Sequence, residues 1–449
     1  MIRYRARYVL PISAPPIVDG IVAVDADRIA WVGSAAHAPA GEERDLGNAI
    51  LLPGLVNAHC HLELTAMRGF LEDLDFRSWI LRLTTAKRSV LSRDMLLDAA
   101  RLGVVEGLAR GVTTYADTCD SGVTFDALRE LGVRGIMYQE VFGPDPAQCA
   151  MSLAELQAKV QRLRSLETPL VRVGVSPHAP YTVSDALFAA VGDYARVAEL
   201  PIAVHIAESG VEQALVVEGS GAFAEGLRAR GIPTAARARS PIALLSSLGV
   251  LRARPLLIHC VRVDDSDIAT IAEARCAVAH CPASNAKLGH GIAPLTSLLA
   301  SRVRVGLGSD SVASNNRMDM LEEARLAMLF QRARTGTHAA IPPAVALSLA
   351  TLDGARALGL DREIGSLEVG KSADLAAFPL GNIGPVHDPE AHALLALPGT
   401  MASLVTVAGT ELVADSRMVA ADSTLVDRVQ QSADALDEWL RSEAGRNVP

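Results

Sequence analysis

The run Gly54-Leu55-Val56-Asn57-Ala58-His59-Cys60-His61 closes an apolar stretch with two imidazoles set two positions apart. In an extended strand the side chains alternate between faces, so His59 and His61 point one way and Cys60 the other. This spacing makes a ready pair of metal ligands, because histidine is the commonest nitrogen ligand and a catalytic zinc takes three protein ligands while keeping a position open. Three further residues with ligand or acid-base chemistry fall at the ends of other apolar runs: His205, His259 in Leu256-Leu257-Ile258-His259-Cys260, and Asp310 in Gly306-Leu307-Gly308-Ser309-Asp310. Singly, each has an ordinary structural explanation. A strand-end histidine can bond a loop carbonyl, and Asp310 before Ser311 can cap the following helix. All five at corresponding strand ends point to one site.

A fold must bring those ends together. From Leu55 onward, apolar strand-like runs alternate with long amphipathic helical patterns, which predicts parallel βαβ units. Strands are expected at 55–58, 112–117, 135–142, 171–176, 202–206, 256–261, 276–280 and 303–308. Helices are expected across 76–110 (as two), 125–131, 147–165, 185–198, 267–274, 318–334 and 343–358. Eight strands with helical crossovers fit a (β/α)8 TIM-type barrel of about 250 residues, whose active site lies at the C-terminal rim of the strands. The stretch 210–250 is long for one crossover and is expected to add a helix or a lid. Before the barrel, short strands are expected at 4–10, 21–24 and 28–32, with Asp25-Ala26-Asp27 as a turn; after it, 365–375 and 403–413 return to strand character. The expected division is a small β-sandwich from both chain ends (1–54 and 365–425), the barrel at 55–364, and a C-terminal helix at 426–449.

The 449 residues are 50% hydrophobic, enough for a large core, and 42 basic residues against 51 acidic ones give a net charge of −9. No Lys/Arg block could track phosphates, so nucleic acid is not expected as a partner. No apolar run reaches the roughly 18 residues of a membrane span, and Pro11, Pro15 and Pro16 interrupt any signal-peptide core. A cytoplasmic enzyme of a small-molecule substrate is expected, with the subunit count open and a homo-oligomer included. The six cysteines are dispersed and suggest neither disulfides nor a thiolate metal site.

Several motifs together resemble the amidohydrolase superfamily, specifically its mononuclear-metal aminohydrolases, which include adenosine-type, S-adenosylhomocysteine and aminofutalosine deaminases. They are the run 53–61, Ser176-Pro177-His178-Ala179-Pro180-Tyr181, His205-Ile206-Ala207-Glu208, Cys281-Pro282-Ala283-Ser284-Asn285, Gly308-Ser309-Asp310-Ser311 and the Gly-Lys-x-Ala-Asp-Leu run ending at Leu375. The resemblance implies that His59, His61, His205 and Asp310 hold one divalent ion, with Glu208 as proton shuttle and His259 orienting the attacking water. Asp310 then belongs to the catalytic set as well as to the ligands. Zinc leads, with iron(II) and manganese compatible with the same ligands. Binuclear members carry a bridging lysine on the fourth strand. None occurs in 171–178, which favours a single ion.

On the substrate side, Arg68 to Trp79 is similar to the first loop of nucleoside-type members. That likeness implies Glu72 at the ribose hydroxyls, Trp79 packing on the substrate and His178 at the purine or sugar. The runs 76–80, 176–182 and 205–209 look most like aminofutalosine deaminases, which remove the 6-amino group of an adenosine-like menaquinone precursor, 6-aminodeoxyfutalosine. The expected reaction is hydrolytic deamination of an adenine-type nucleoside. The alternative is a hydrolase of the same fold acting on guanine, a pterin, a triazine chloride or alkylamine, or a cyclic amide.

Overall fold

The computed structural model describes residues 1–381, 384–446 and 448. The parallel strands are β1 (Leu55–Cys60), β2 (Val112–Cys119), β3 (Arg134–Val141), β4 (Val171–Pro177), β5 (Ala203–Ile206), β6 (Leu256–His259), β7 (Ala277–His280) and β8 (Arg304–Leu307). They form two four-stranded sheets, β1 to β4 and β5 to β8, each in chain order. Single parallel bridges join the sheets at both seams, Val175 to Ile202 and Cys60 to Asp310. Inward residues such as Val56, Ala58, Ile136, Tyr138, Leu256 and Ile258 pack into one buried cluster between the sheets, each larger side chain contributing about 1.5–3 kcal/mol.

The helical pattern 76–110 divides into Phe76–Val90 and Arg93–Ala109, capped by the side chains of Asp75 and Ser92. The segment 210–250 carries three helices, Gly210–Glu218, Gly221–Ala229 and Pro241–Ser247. The single helix expected at 343–358 is two, Pro343–Leu349 and Leu352–Leu358. At the break Ala350 turns its carbonyl to accept the amide of Val56 on β1. Among the described residues no helix is long and apolar enough to cross a membrane.

Both chain ends meet, and their strands pair as one nine-stranded mixed sheet. Ala49–Pro53 lies between Ile2–Val9 on one side and Leu375–Pro379 on the other, so a single ladder runs through both halves. The expected strand at 365–375 begins only at Leu375. Gly365 and Gly370 have φ of 92° and 89°, which an extended strand does not use. That stretch is instead a connector, exposed at 368–370 and anchored at its end: Arg134 of β3 grips Asp374 with Nε and Nη2 at 2.9 and 3.2 Å and also bonds Ser372. At the C-terminus the helix runs Leu425–Arg441, followed by a turn at Glu443–Arg446. Positions 447 and 449 of the expected 426–449 helix, and 382–383 of the terminal β unit, lie outside the described residues.

Candidate metal centre and active site

His59 lies within β1, and His61 lies just past its end, where a six-residue 3-10 turn begins. The register of β1 against β2 shifts between Asn57 and Cys60, so the strand is no longer regular here. The two imidazoles nevertheless meet edge-on, with centroids 4.8 Å apart. Close approach of β8 is allowed by Gly308, where a Cβ would lie 2.8 Å from the Cβ and carbonyl oxygen of His59. The amide of Asp310 then donates to the carbonyl of His59 at 3.0 Å. Both Asp310 and His259 sit at positive φ, 57° and 76°, a strained conformation that aims their side chains at the rim.

Four ligand-type atoms converge. Asp310 Oδ1 is 3.3 Å from His59 Nε2 and 3.5 Å from His61 Nε2, and His61 Nε2 is 3.3 Å from His205 Nε2. With bonds of 2.0–2.1 Å, the edge of a tetrahedron of ligands is about 3.4 Å. His61 Nδ1 donates to the Thr118 carbonyl at 3.0 Å, which leaves Nε2 with its lone pair turned toward His205. Neither ring nitrogen of His59 has a hydrogen-bond partner, although the residue is 1% exposed. Burial pushes all three imidazoles down, His61 to about 3, so they are neutral ligands. Burial acts upward on the Asp310 carboxyl, but the His59, His259 and His61 imidazoles that face it hold it well below the usual carboxylate range. Ser284 and Ser314 donate to its Oδ2, and the Ser311 amide to its Oδ1. Orphaned buried nitrogens, facing lone pairs and neighbour spacings of 3.3–3.5 Å all fit a divalent cation.

Glu208 is not part of that quartet but stands beside it, 4% exposed. Its Oε1 lies 3.5 Å from His259 Nε2 and 3.3 Å from His290 Nε2. Burial tends to raise this carboxyl, and the two imidazoles reverse that, keeping it ionised. Glu212 fixes the backbone beneath by accepting the amides of Ala207 and Glu208, both at 2.8 Å. His259 Nδ1 donates to Asn285 Oδ1 at 3.0 Å, which turns its Nε2 toward the cavity and the Glu208 carboxylate.

These groups form the floor of a cavity of about 400 Å3, whose walls include His178 and Trp79. Trp79 is buried against Phe76, and its indole N–H has no partner. Phe223, from the helix Gly221–Ala229, stacks on Tyr181 at 4.1 Å, so one helix of the long 210–250 segment lines the cavity. Glu72 does not join them. Its carboxylate is half-exposed and committed to Lys287 at 2.7 Å and Asn316 at 3.0 Å, away from the cavity lining. Sequence reasoning missed His290, although it stands out between Gly289 and Gly291. It also missed Glu140, next to last on β3 at the cavity wall, and gave Asn285 no chemical role beyond its place in a motif.

The model of the amidohydrolase family matches residues 50–416, and the chain belongs to that family. It is 33% identical over 425 residues to a 5-methylthioadenosine/S-adenosylhomocysteine deaminase of Moorella thermoacetica, covering 92% of this chain and 94% of the relative. Among solved structures, an adenosine deaminase from Xanthomonas campestris with bound zinc superposes with a TM-score of 0.87 at 30% identity, over 97% of this chain and 98% of that one. An atrazine chlorohydrolase from Arthrobacter aurescens complexed with zinc gives a TM-score of 0.82 at 25% identity, over 97% and 100%. The fold is accordingly of the TIM-barrel α/β type.

Proposed function

We propose that the chain is a zinc-dependent hydrolase that releases ammonia from an adenine-type nucleoside, a 5′-modified adenosine in particular. The observation that carries this reading is the convergence of three histidine nitrogens and one carboxylate, at 3.3–3.5 Å between neighbours, with Glu208 and His259 alongside them. The names of the Moorella and Xanthomonas relatives support the adenine nucleoside. In the same reading, the two four-stranded sheets close into one (β/α)8 barrel over 55–364. The chain ends, 1–54 and 365–425, form a separate small β domain, with 426–449 as a terminal helix.

His59, His61, His205 and Asp310 hold the ion. When bound, it supplies the positive charge that lets water act as a nucleophile near neutral pH. Glu208 Oε1 accepts a proton from the attacking water and delivers it to a ring nitrogen of the adenine; the proton of the added hydroxyl then passes to the amine as the C–N bond breaks, leaving C=O. His259, held by Asn285, orients that water through Nε2. The exchange balances as ring C–NH2 plus water giving ring C=O plus ammonia. The aromatic wall excludes bulk water and holds the flat base.

The test is ammonia release by zinc-loaded protein from adenosine, 5′-methylthioadenosine, S-adenosylhomocysteine and 6-aminodeoxyfutalosine, beside guanine, a pterin and atrazine. Turnover of at least one adenine nucleoside is expected. Chloride release from atrazine with no nucleoside turnover would replace this reading by the triazine one, which the likeness to the Arthrobacter enzyme supports.

A further inference from the structure

The cavity wall holds a carboxyl that the deamination chemistry does not use. Glu140 follows Ile136 and Tyr138 along β3 at alternate positions, and those two side chains fill the space between the sheets. Glu140 therefore points inward at the rim. It is 7% exposed, lines the cavity, and its Oε1 has no hydrogen-bond partner. Ligand atoms of Glu140, His178 and His205 lie within 4.8 Å of one another.

The tautomer of His178 follows from its neighbour. Thr182 Oγ1 donates to the Ala179 carbonyl at 3.2 Å, so at 2.7 Å from His178 Nδ1 it accepts the ring N–H. His178 Nε2 is left as a lone pair. The nearby ammonium of Lys87 is already shared between Glu63 and Asp120. Burial pushes the Glu140 carboxyl well above the usual range, and its unpartnered Oε1 beside the His178 lone pair is costly unless a ligand supplies a donor.

We propose that Glu140 and His178 bind the sugar of the nucleoside through its vicinal hydroxyls, one donating to Glu140 Oε1 and the other to His178 Nε2. The inference rests on the nucleoside reading above and moves the ribose contact from Glu72, which faces Lys287 and Asn316, to Glu140. A second cation at the same acceptors is the competing occupant. It would require His205, whose Nε2 faces His61, to serve two ions through both ring nitrogens.

The test compares kcat/KM for adenosine and 2′,3′-dideoxyadenosine in the parent, Glu140→Gln and Glu140→Leu, with metal content measured on each preparation. Loss of a buried hydrogen bond to the sugar predicts a fall of about 5–100-fold for adenosine in Glu140→Leu. The loss should appear mainly in KM, be smaller in the Gln variant, which keeps one acceptor oxygen, and be absent for the dideoxy substrate. Metal content should not change. Equal losses on both substrates, or a second metal equivalent that disappears with Glu140, would overturn the assignment. If the parent deaminates both nucleosides and the variants leave their ratio unchanged, only the Glu140 contact fails. A parent that releases ammonia from none of these nucleosides, nor from 5′-methylthioadenosine, S-adenosylhomocysteine or 6-aminodeoxyfutalosine, overturns the nucleoside reading and this contact together.

Discussion

Replacing Glu208 by Gln isolates the proton-transfer role, because the change preserves volume in a residue that is 4% exposed and leaves its backbone amide bonded to Glu212. It removes the charge that faces His259 and His290 at 3.5 and 3.3 Å, and with it the proton acceptor. General acid-base contributions span about 100- to 10,000-fold, which at 1.36 kcal/mol per decade corresponds to roughly 3–5 kcal/mol of barrier. A loss of at least about 100-fold in kcat is expected. None of the four converging ligand atoms belongs to Glu208, so metal content should stay at the parent level. His205→Ala, by contrast, removes Nε2 from the quartet and should lower metal affinity along with rate. The assay pairs steady-state ammonia release with elemental analysis of the same protein. Ordinary turnover of Glu208→Gln with a full complement of metal would refute the shuttle and remove the main chemical support for deamination.

Asn285→Leu removes the acceptor that fixes the ring of His259. A 10- to 100-fold fall in kcat, on the order seen for outer partners of metal-site residues, is expected at unchanged metal content, with Asn285→Asp keeping most of the activity. Arg134→Met leaves Asp374 as an unpaired buried charge, so urea denaturation should show a loss of about 3–5 kcal/mol while turnover per folded molecule is retained. His280 is buried with neither ring nitrogen bonded, and burial pushes its imidazole down to about 3. The unfolded chain takes up that proton first, so the stability present above the ordinary value of about 6.5 is lost as pH falls from there toward 3. The expected slope is about 1.4 kcal/mol per pH unit. Urea midpoints for His280→Gln should show a shallower acid dependence, and an unchanged slope would show that this imidazole does not carry it.

What could be read in the sequence was whatever local periodicity encodes. All eight parallel strands and the division of 76–110 follow from apolar alternation and from cap residues that act within a few positions. The residues of the quartet could be singled out for a related reason. A strand that ends at a rim delivers its last inward side chain there wherever the strand lies in the chain, so strand ends at 59, 205 and 310 share a place before any contact is known. Inward alternation along β3 carries the same information for Glu140, two positions after Tyr138, yet a lone carboxylate draws less notice than a histidine pair.

The features that misled depend on pairing partners far apart in the chain. Glu72 lies in the loop where a nucleoside-type relative would be expected to hold its sugar, but whether it faces the cavity depends on Lys287 and Asn316, more than 200 positions away. The terminal β unit is joined into one continuous ladder because Ala49–Pro53 accepts a partner on each edge, and edge occupancy leaves no mark on a strand's own pattern. His290 shows the same limit from the other side. Its loop position has no periodicity, and its importance comes only from packing edge-on against Phe76, 4.5 Å between ring centroids, which sets Nε2 at the Glu208 carboxylate. The metal-binding framework is thus specified by strand geometry, which is local. The groups that tune the shuttle and select the substrate are specified by which loops and helices come to lie over the rim.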